Sequence, residues 1–106
     1  MKKNTLLLLT ILSVVTMYGQ AGSIKGKIVT NENIAIPEVN VKILNTTKGT
    51  TTDNTGVYEI TNLEKGSYKL EVSYLGFKTL QKNVTIYDNE SVTVDFTLQE
   101  SNTQLQ

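Results

Sequence analysis

The sequence predicts an all-β protein whose short antiparallel strands pack as a β-sandwich. Apolar and polar residues alternate along several runs, a pattern typical of strands that bury one face and expose the other. Threonine, valine and isoleucine make up 28 of the 86 residues after Gln20, and β-branched side chains favour a pleated sheet over a helix. Turn residues recur about every 8–12 residues, as in a small sandwich. The length of 106 residues allows one such domain.

The alternation places the strands in chain order. Six runs are predicted to be strands: Ile24–Ile28, Val39–Ile43, Val57–Ile60, Tyr68–Tyr74, Leu80–Ile86 and Val92–Leu98. A seventh, very short strand is predicted around Thr50–Thr52. Lys82 interrupts the apolar face of the fifth run, which predicts a bulge or an edge strand there. Because each run has a single apolar face, two sheets must pack with these faces together.

Turn-forming residues separate the predicted strands. They occur at Asn31–Asn33 with Pro37, Lys48–Gly49, Asp53–Gly56, Lys65–Gly66, Leu75–Gly76 and Asp88–Glu90. At the third of these turns, the Asp53 carboxylate can accept backbone N–H bonds while Gly56 adopts a positive φ. We therefore expect Asp53 to cap a turn that Gly56 closes.

Residues 1–20 have the pattern of a cleaved secretory signal peptide. Lys2 and Lys3 precede the apolar run Leu6–Val15, and cleavage is predicted after Gly19, Gln20 or Ala21. The apolar run is about half the length that crosses a bilayer, which argues against a membrane anchor. The predicted organisation is a signal peptide at 1–20, a β-sandwich at 21–100 and a polar, disordered tail at 101–106.

Composition excludes many classes of function. The chain has no cysteine and no histidine, which excludes disulfides, thiol nucleophiles, histidine general bases and Ser-His-Asp triads. Ten basic residues balance ten acidic ones, whereas binding to nucleic acid needs a basic face. The sequence therefore predicts no enzymatic activity, no cofactor, no metal site and no nucleic-acid partner.

Four spaced motifs resemble one protein family. In chain order they are Ile24-x-Gly26-x-Ile28, Ile36-Pro37-Glu38-Val39-Asn40-Val41, the stretch Lys48–Ile60 with its Thr-Asp-x-x-Gly-x-Tyr, and the stretch Leu63–Phe77 with Gly66-x-Tyr68-x-Leu70-x-Val72 and Gly76-Phe77. Over about residues 23–99 the chain is similar to the carboxypeptidase-regulatory-like domain, which implies a seven-stranded transthyretin-like (prealbumin-like) sandwich and no peptidase activity. The family often has glycine where Asn33 and Glu38 stand, and proline where Ala35 stands. Glu38 therefore predicts a less tight turn in this loop.

The residues of these motifs are expected to be structural. They are Asp53, Gly56, Tyr58, Gly66, Tyr68 and Gly76. The rings of Tyr58, Tyr68 and Tyr74 are expected to fill the core, with their hydroxyls at its rim. The alternative, a calcium ligand at Asp53, lacks the number of oxygen ligands that a calcium loop needs.

The resemblance also implies a function. Bacterial copies behind a signal peptide are similar to the N-terminal extension of TonB-dependent outer-membrane receptors, which import nutrients. This implies a non-enzymatic, exported accessory or interaction domain in the periplasm or outer membrane of a Gram-negative bacterium. Its partner would be a protein, bound at an exposed strand edge or at loops. Both a receptor fragment and a free-standing exported domain fit the sequence. The oligomeric state is also left open by the sequence.

A second function stays open at this point. A free-standing sandwich that binds a carbohydrate or another ligand would depend on exposed aromatic rings, and Tyr87 and Phe77 are the candidates. Lys78 and Lys82, which lie close together in the sequence, either contact an acidic partner or protect an edge strand from aggregation.

Overall fold

The computed structural model describes residues 21–101, which contain eight strands and no helix. The predicted signal peptide at 1–20 and residues 102–106 lie outside the described residues. The strands are β1 Gly22–Thr30, β2 Asn40–Ile43, β3 Gly49–Thr51, β4 Val57–Leu63, β5 Gly66–Ser73, β6 Leu80–Ile86, β7 Ser91–Thr93 and β8 Phe96–Leu98. The predicted all-β class is confirmed.

The strands form two sheets that pack as a sandwich. One sheet has the order β4-β1-β7, with β8 also paired to β1, and the other has the order β3-β2-β5-β6. In the second sheet all pairs are antiparallel, and β5 and β6 pair without interruption from Gly66↔Ile86 to Val72↔Leu80. In the first sheet β1 pairs antiparallel with β4 but parallel with β7 and β8.

The core lies between the two sheets and contains the apolar positions of the alternating runs. Its members include Ile24, Ile28, Val39, Val41, Ile43, Tyr58, Ile60, Leu70, Val72, Val84, Ile86, Phe96 and Leu98. Polar residues between them point outward; in β2, for example, Asn40 and Lys42 are exposed while Val41 and Ile43 are buried. Because a shift of one residue would turn every apolar set outward, the alternation fixes the strand register.

The last predicted strand differs from the expectation. A single antiparallel strand was predicted from Val92 to Leu98, but the chain leaves the sheet at Val94 and Asp95 and returns as β8. The Lys27 N–H donates to Asp95 Oδ1 at 2.8 Å, so a side chain replaces a backbone acceptor at the break. The described residues therefore contain eight strands rather than seven, and the last two are parallel to their neighbour.

The loop between β1 and β2 also differs from the expectation. Asn33 and Glu38 adopt φ values of 67° and 62°, so Glu38 takes the left-handed conformation that the family often gives to glycine. The prediction of a less tight turn at Glu38 is wrong. The turn is held by Thr52, which is buried and was predicted only as a strand residue. Its hydroxyl donates to Ile36 O at 2.6 Å, and its carbonyl accepts from the Glu38 N–H at 2.9 Å.

Lys82 marks an edge strand, as predicted, and not a bulge. β6 lies at the edge of its sheet and keeps a continuous register with β5. At the other end of the chain, the Ser101 N–H donates to Gly76 O at 2.8 Å, so backbone pairing includes the first residue of the predicted tail. Within residues 21–101, no helix has the length and apolar character needed to cross a membrane.

Candidate functional site

The turn between β3 and β4 is organised around the Asp53 carboxylate. Its Oδ1 accepts hydrogen bonds from the N–H of Thr55 at 2.9 Å, the hydroxyl of Thr55 at 2.7 Å and the N–H of Val57 at 3.0 Å. The Gly56 N–H donates to Asp53 O at 2.9 Å, and Gly56 has a φ of 79°. A Cβ at Gly56 would lie 2.8 Å from Ile28 O, so both the conformation and the close approach require glycine.

These contacts define what the Asp53 carboxylate does. The Thr55 hydroxyl, followed by the backbone N–H groups of Val57 and Thr55, lowers the pKa of Asp53, so the carboxylate remains ionised and hydrogen-bonded within its own turn. Among the described residues, no group of three or more acidic side chains is placed to hold a metal ion. The geometry assigns Asp53 to turn closure.

Tyr58 connects β4 to the break in the last strand. Its ring is buried, and its hydroxyl donates to the carbonyl oxygen of Val94, the residue at which the chain leaves the sheet. Burial, followed by the nearby charge of Asp95, raises the pKa of Tyr58. Gly26 allows this approach, because a Cβ there would lie 1.9 Å from Val94 O. Tyr58 is therefore a structural anchor between β1, β4 and the break.

The remaining motif residues do not gather at one place. Tyr68 is half-buried and donates its hydroxyl to Glu64 O at 2.5 Å, which closes the turn between β4 and β5 next to Gly66. Gly76 lies in the turn between β5 and β6, at the other end of β5, near the paired rings of Tyr74 and Phe77 with centroids 5.8 Å apart. The six motif residues thus support several separate turns and do not form a common site.

A groove opens at the end of the sandwich where β1 and β8 finish. It has a volume of about 460 Å³, and Ile34, Phe77 and Leu98 contribute apolar atoms to a lining that also contains Glu32, Lys78 and Glu100. Ile34 is 57% exposed. Tyr87, by contrast, follows β6 at the opposite end and is 67% exposed. The seven residues of β6 lie between Phe77 and Tyr87 and span about 20 Å, so the two rings do not share a binding surface.

The sheets present four edges, and three of them are short, broken or capped. β3 has three residues, and the β7–β8 edge is interrupted at Val94 and Asp95. On β4, the Lys48 ammonium donates to Asn62 O at 2.6 Å. β6 has seven residues in unbroken register, and within residues 21–101 no side chain hydrogen-bonds to its backbone from the open side. Sequence reasoning placed an edge here but did not identify it as the uncapped one.

Comparison with known families identifies the domain. Residues 24–106 match the family described as the CarboxypepD_reg-like domain. The chain belongs to this family. The CarboxypepD_reg-like assignment confirms the resemblance seen in the motifs and includes the residues that build the Asp53 turn and the Tyr58 anchor. A search of curated protein sequences finds no match to the chain.

Solved structures share the fold at low sequence identity. A chain in the structure of a type II cohesin–X-dockerin complex from Acetivibrio cellulolyticus has a TM-score of 0.68 and 18% identity, covering 79% of this chain and 61% of that chain. A minor pilin of Streptococcus agalactiae has a TM-score of 0.62 and 17% identity, covering 82% and 48%. The 3-chlorocatechol 1,2-dioxygenase of Rhodococcus opacus has a TM-score of 0.62 and 11% identity, covering 79% and 61%.

These similarities establish the architecture of a CarboxypepD_reg-like sandwich and nothing more specific. This chain spans less than two thirds of each of the three compared chains. The same sandwich therefore occurs in larger proteins of different function, and a role for this chain must be argued from its own residues.

Proposed function

We propose that this protein is a non-enzymatic, exported accessory domain that binds another protein. In finer terms, we propose that it acts in the periplasm or at the outer membrane of a Gram-negative bacterium as the N-terminal module associated with TonB-dependent nutrient uptake. The observation that carries the proposal is that polar groups of the family motif hydrogen-bond within the domain itself. Asp53, Thr52 and Tyr58 all bind the backbone of the chain itself, which leaves the strand edges and loops as its working surface.

The export part of the proposal is supported by the pattern of residues 1–20. Lys2, Lys3 and the apolar run that follows are the features that a secretion machinery recognises. The non-enzymatic part is supported by the absence of histidine and cysteine from these 106 residues, together with membership of a regulatory-like family. The dioxygenase structure is 11% identical and shares the fold alone.

Export is tested by expressing the full chain with a C-terminal tag in a Gram-negative host and separating periplasm from cytoplasm. We expect periplasmic protein whose mass places the new N-terminus at Gln20, Ala21 or Gly22. A matched variant, Leu8→Glu, breaks the apolar run and should leave an uncleaved precursor in the cytoplasm. Uncleaved wild-type protein in the cytoplasm would contradict the proposed location.

The partner is tested by cross-linking in the source bacterium. A photoreactive amino acid at Asn83 samples the β6 edge, and the same group at Lys25, on the central strand of the other sheet, serves as the control. We expect the Asn83 position to give a specific product whose partner, identified by mass spectrometry, is an outer-membrane receptor or a periplasmic component of its energy-coupling system. Equal products at both positions, or a cytoplasmic partner, would refute the proposal.

A further inference from the structure

The free edge of β6 allows a more specific statement about the partner. We propose that this edge binds an extended segment of the partner protein as an added β-strand, and that this segment carries a carboxylate opposite Lys82. The inference rests on the proposed function and specifies its surface and the chemistry of the bound segment.

The hydrogen bonds of β5 determine which backbone groups of β6 are free. The Leu44 N–H donates to Lys69 O at 3.0 Å, so odd-numbered residues of β5 direct their backbone groups toward β2. Even-numbered residues of β5 therefore face β6, where Leu70 is opposite Lys82. It follows that the odd-numbered residues of β6 direct their N–H and C=O groups away from the sheet. These are Gln81, Asn83 and Thr85.

The side chains on the inner face of β6 explain why an added strand would find a surface to cover. Val84 and Ile86 are buried, whereas Leu80 is only half-buried. Val94, at the break in the neighbouring sheet, is also half-buried. Both half-buried side chains pack against the core. A strand added to β6 would place alternate side chains beside this partly covered apolar surface.

The exposed Lys82 side chain reaches from β6 to the other sheet across this open side. Its ammonium donates to the carbonyl oxygen of Asp95 at 2.6 Å and lies 4.8 Å from the centre of the Phe96 ring. The Asp95 carboxylate is itself used by the Lys27 N–H at 2.8 Å. Lys82 therefore bridges β6 to the broken strand through a neutral oxygen and an aromatic face.

The positive charge of this edge has no counter-ion within the described residues. The ion pairs of residues 21–101 are Lys42–Glu71 and Lys65–Asp88, and neither includes Lys78 or Lys82. Glu71 also accepts from Gln81 Nε2 at 3.0 Å, on the outer face of the sheet. On its inner side an approaching segment thus meets the Lys82 ammonium, which has no carboxylate partner among residues 21–101.

This arrangement selects against a purely apolar strand. Such a strand would cover the Lys82 ammonium and leave it only the Asp95 carbonyl oxygen and the Phe96 ring, neither of which carries a negative charge. Removing a charge from water without a counter-ion is costly. A carboxylate at the same position would instead form a charge-assisted hydrogen bond with Lys82. The same lysine therefore prevents edge-to-edge aggregation and favours an acidic partner segment.

The proposal is tested with synthetic peptides and the purified full chain. The probe is an acetylated, amidated heptapeptide with the sequence TVTDTVT, whose valines and aspartate share one face. The control peptide, TVTKTVT, differs only at the central residue, where a positive side chain replaces the negative one. In NMR titrations we expect the amide signals of Gln81, Asn83 and Thr85 to shift, with the aspartate peptide binding about fivefold more tightly.

Substitutions at Lys82 separate charge from packing. Lys82→Met keeps a stem of similar length and should reduce the preference between the two peptides to less than about twofold, and Lys82→Glu should reverse it. The matched control is Lys25→Met, an exposed lysine in the centre of the other sheet, which should leave the preference unchanged. A preference that survives in Lys82→Met would overturn the role of Lys82.

Proline substitutions test the direction of the backbone groups. Asn83→Pro removes a donor that points away from the sheet, so the chain should remain folded by circular dichroism but lose peptide binding. Val84→Pro removes a donor that faces β5 and should unfold the domain. If Asn83→Pro stays folded and binds both peptides normally, the proposed edge is wrong.

Two further outcomes would also overturn the proposal. One is peptide-induced shifts confined to the groove near Ile34 and Phe77. The other is a concentration-dependent dimer, detected by sedimentation, that pairs through β6 and excludes the peptides. Failure of the proposed function is distinguishable, because the periplasmic cross-linking can fail while the purified chain still binds the aspartate peptide at β6.

Discussion

The substitution Gly26→Ala measures how tightly the break in the last strand is packed against β1. A Cβ at this position would lie 1.9 Å from Val94 O and 2.7 Å from Val94 C, and both are backbone atoms that cannot rotate away. An ordinary contact begins at 3.4 Å, so β1 and the broken strand must separate by about 1.5 Å or more. Overpacking of this kind costs about 3 kcal/mol, against a total stability of about 4–12 kcal/mol for a domain of this size.

Urea unfolding followed by far-ultraviolet circular dichroism gives the free energy of unfolding for each variant. The matched control is Gly76→Ala, where no atom lies within 4 Å of the added Cβ but φ is 87°. The control should lose about 1 kcal/mol through backbone strain alone. If Gly26→Ala loses no more than Gly76→Ala, the close approach at Val94 is not a constraint on the fold and the reasoning fails.

Three other substitutions test the turn, the anchor and the loop. The pKa of Asp53 is lowered from 3.8, so its carboxylate stabilises the fold above that pH. At neutral pH, Asp53→Asn should therefore have a lower free energy of unfolding in urea than the wild type. This difference should vanish as the pH falls through the lowered pKa. The pKa of Tyr58 is raised from 10.0, so wild-type stability should fall as pH rises above 10. Tyr58→Phe should have a free energy of unfolding about 1 kcal/mol lower than the wild type at neutral pH. Because it lacks the ionisable hydroxyl, its stability should fall less than that of the wild type as the pH rises above 10. Glu38→Gly should raise stability by about 0.5 kcal/mol, because it relieves the left-handed strain at a smaller entropic cost; a lower unfolding midpoint would contradict this.

The sequence predicted those features that depend on neighbouring residues. The alternation around Val41 and around Val84 gave the correct inner faces, because burial of one sheet face is a local pattern of period two. The spacing from Asp53 to Gly56 gave the turn, since both residues act within four positions of each other. A lysine at the third position of β6 gave the edge, because a charge on an inner face is tolerated only where the sheet is open.

The features that could not be predicted depend on residues distant in sequence. The alternation of Val92, Val94, Phe96 and Leu98 continues across the break. The break is set instead by Gly26 and by the Lys27 N–H, which lies 68 positions from the Asp95 carboxylate that it binds. The parallel pairing of β7 and β8 with β1 is equally non-local. Glu38 is left-handed because Thr52, fourteen positions later in the chain, accepts its N–H.

Lys82, on which the proposed binding at the β6 edge depends, stands out in the sequence, but its role could not be interpreted from the sequence alone. A lysine within an apolar face is consistent with a bulge, with edge protection or with binding of an acidic partner, and all three give the same pattern. The structure excludes the bulge interpretation, because β5 and β6 pair in continuous register. It also shows that the Lys82 ammonium is held by a carbonyl oxygen and an aromatic face, without a carboxylate. Protection requires only that a charge be present, whereas the proposed binding requires a charge without a counter-ion beside outward-facing backbone groups. Among residues 21–101 no carboxylate pairs with Lys82, and Gln81 and Asn83 direct their backbone groups outward on either side of it, so Lys82 meets both conditions.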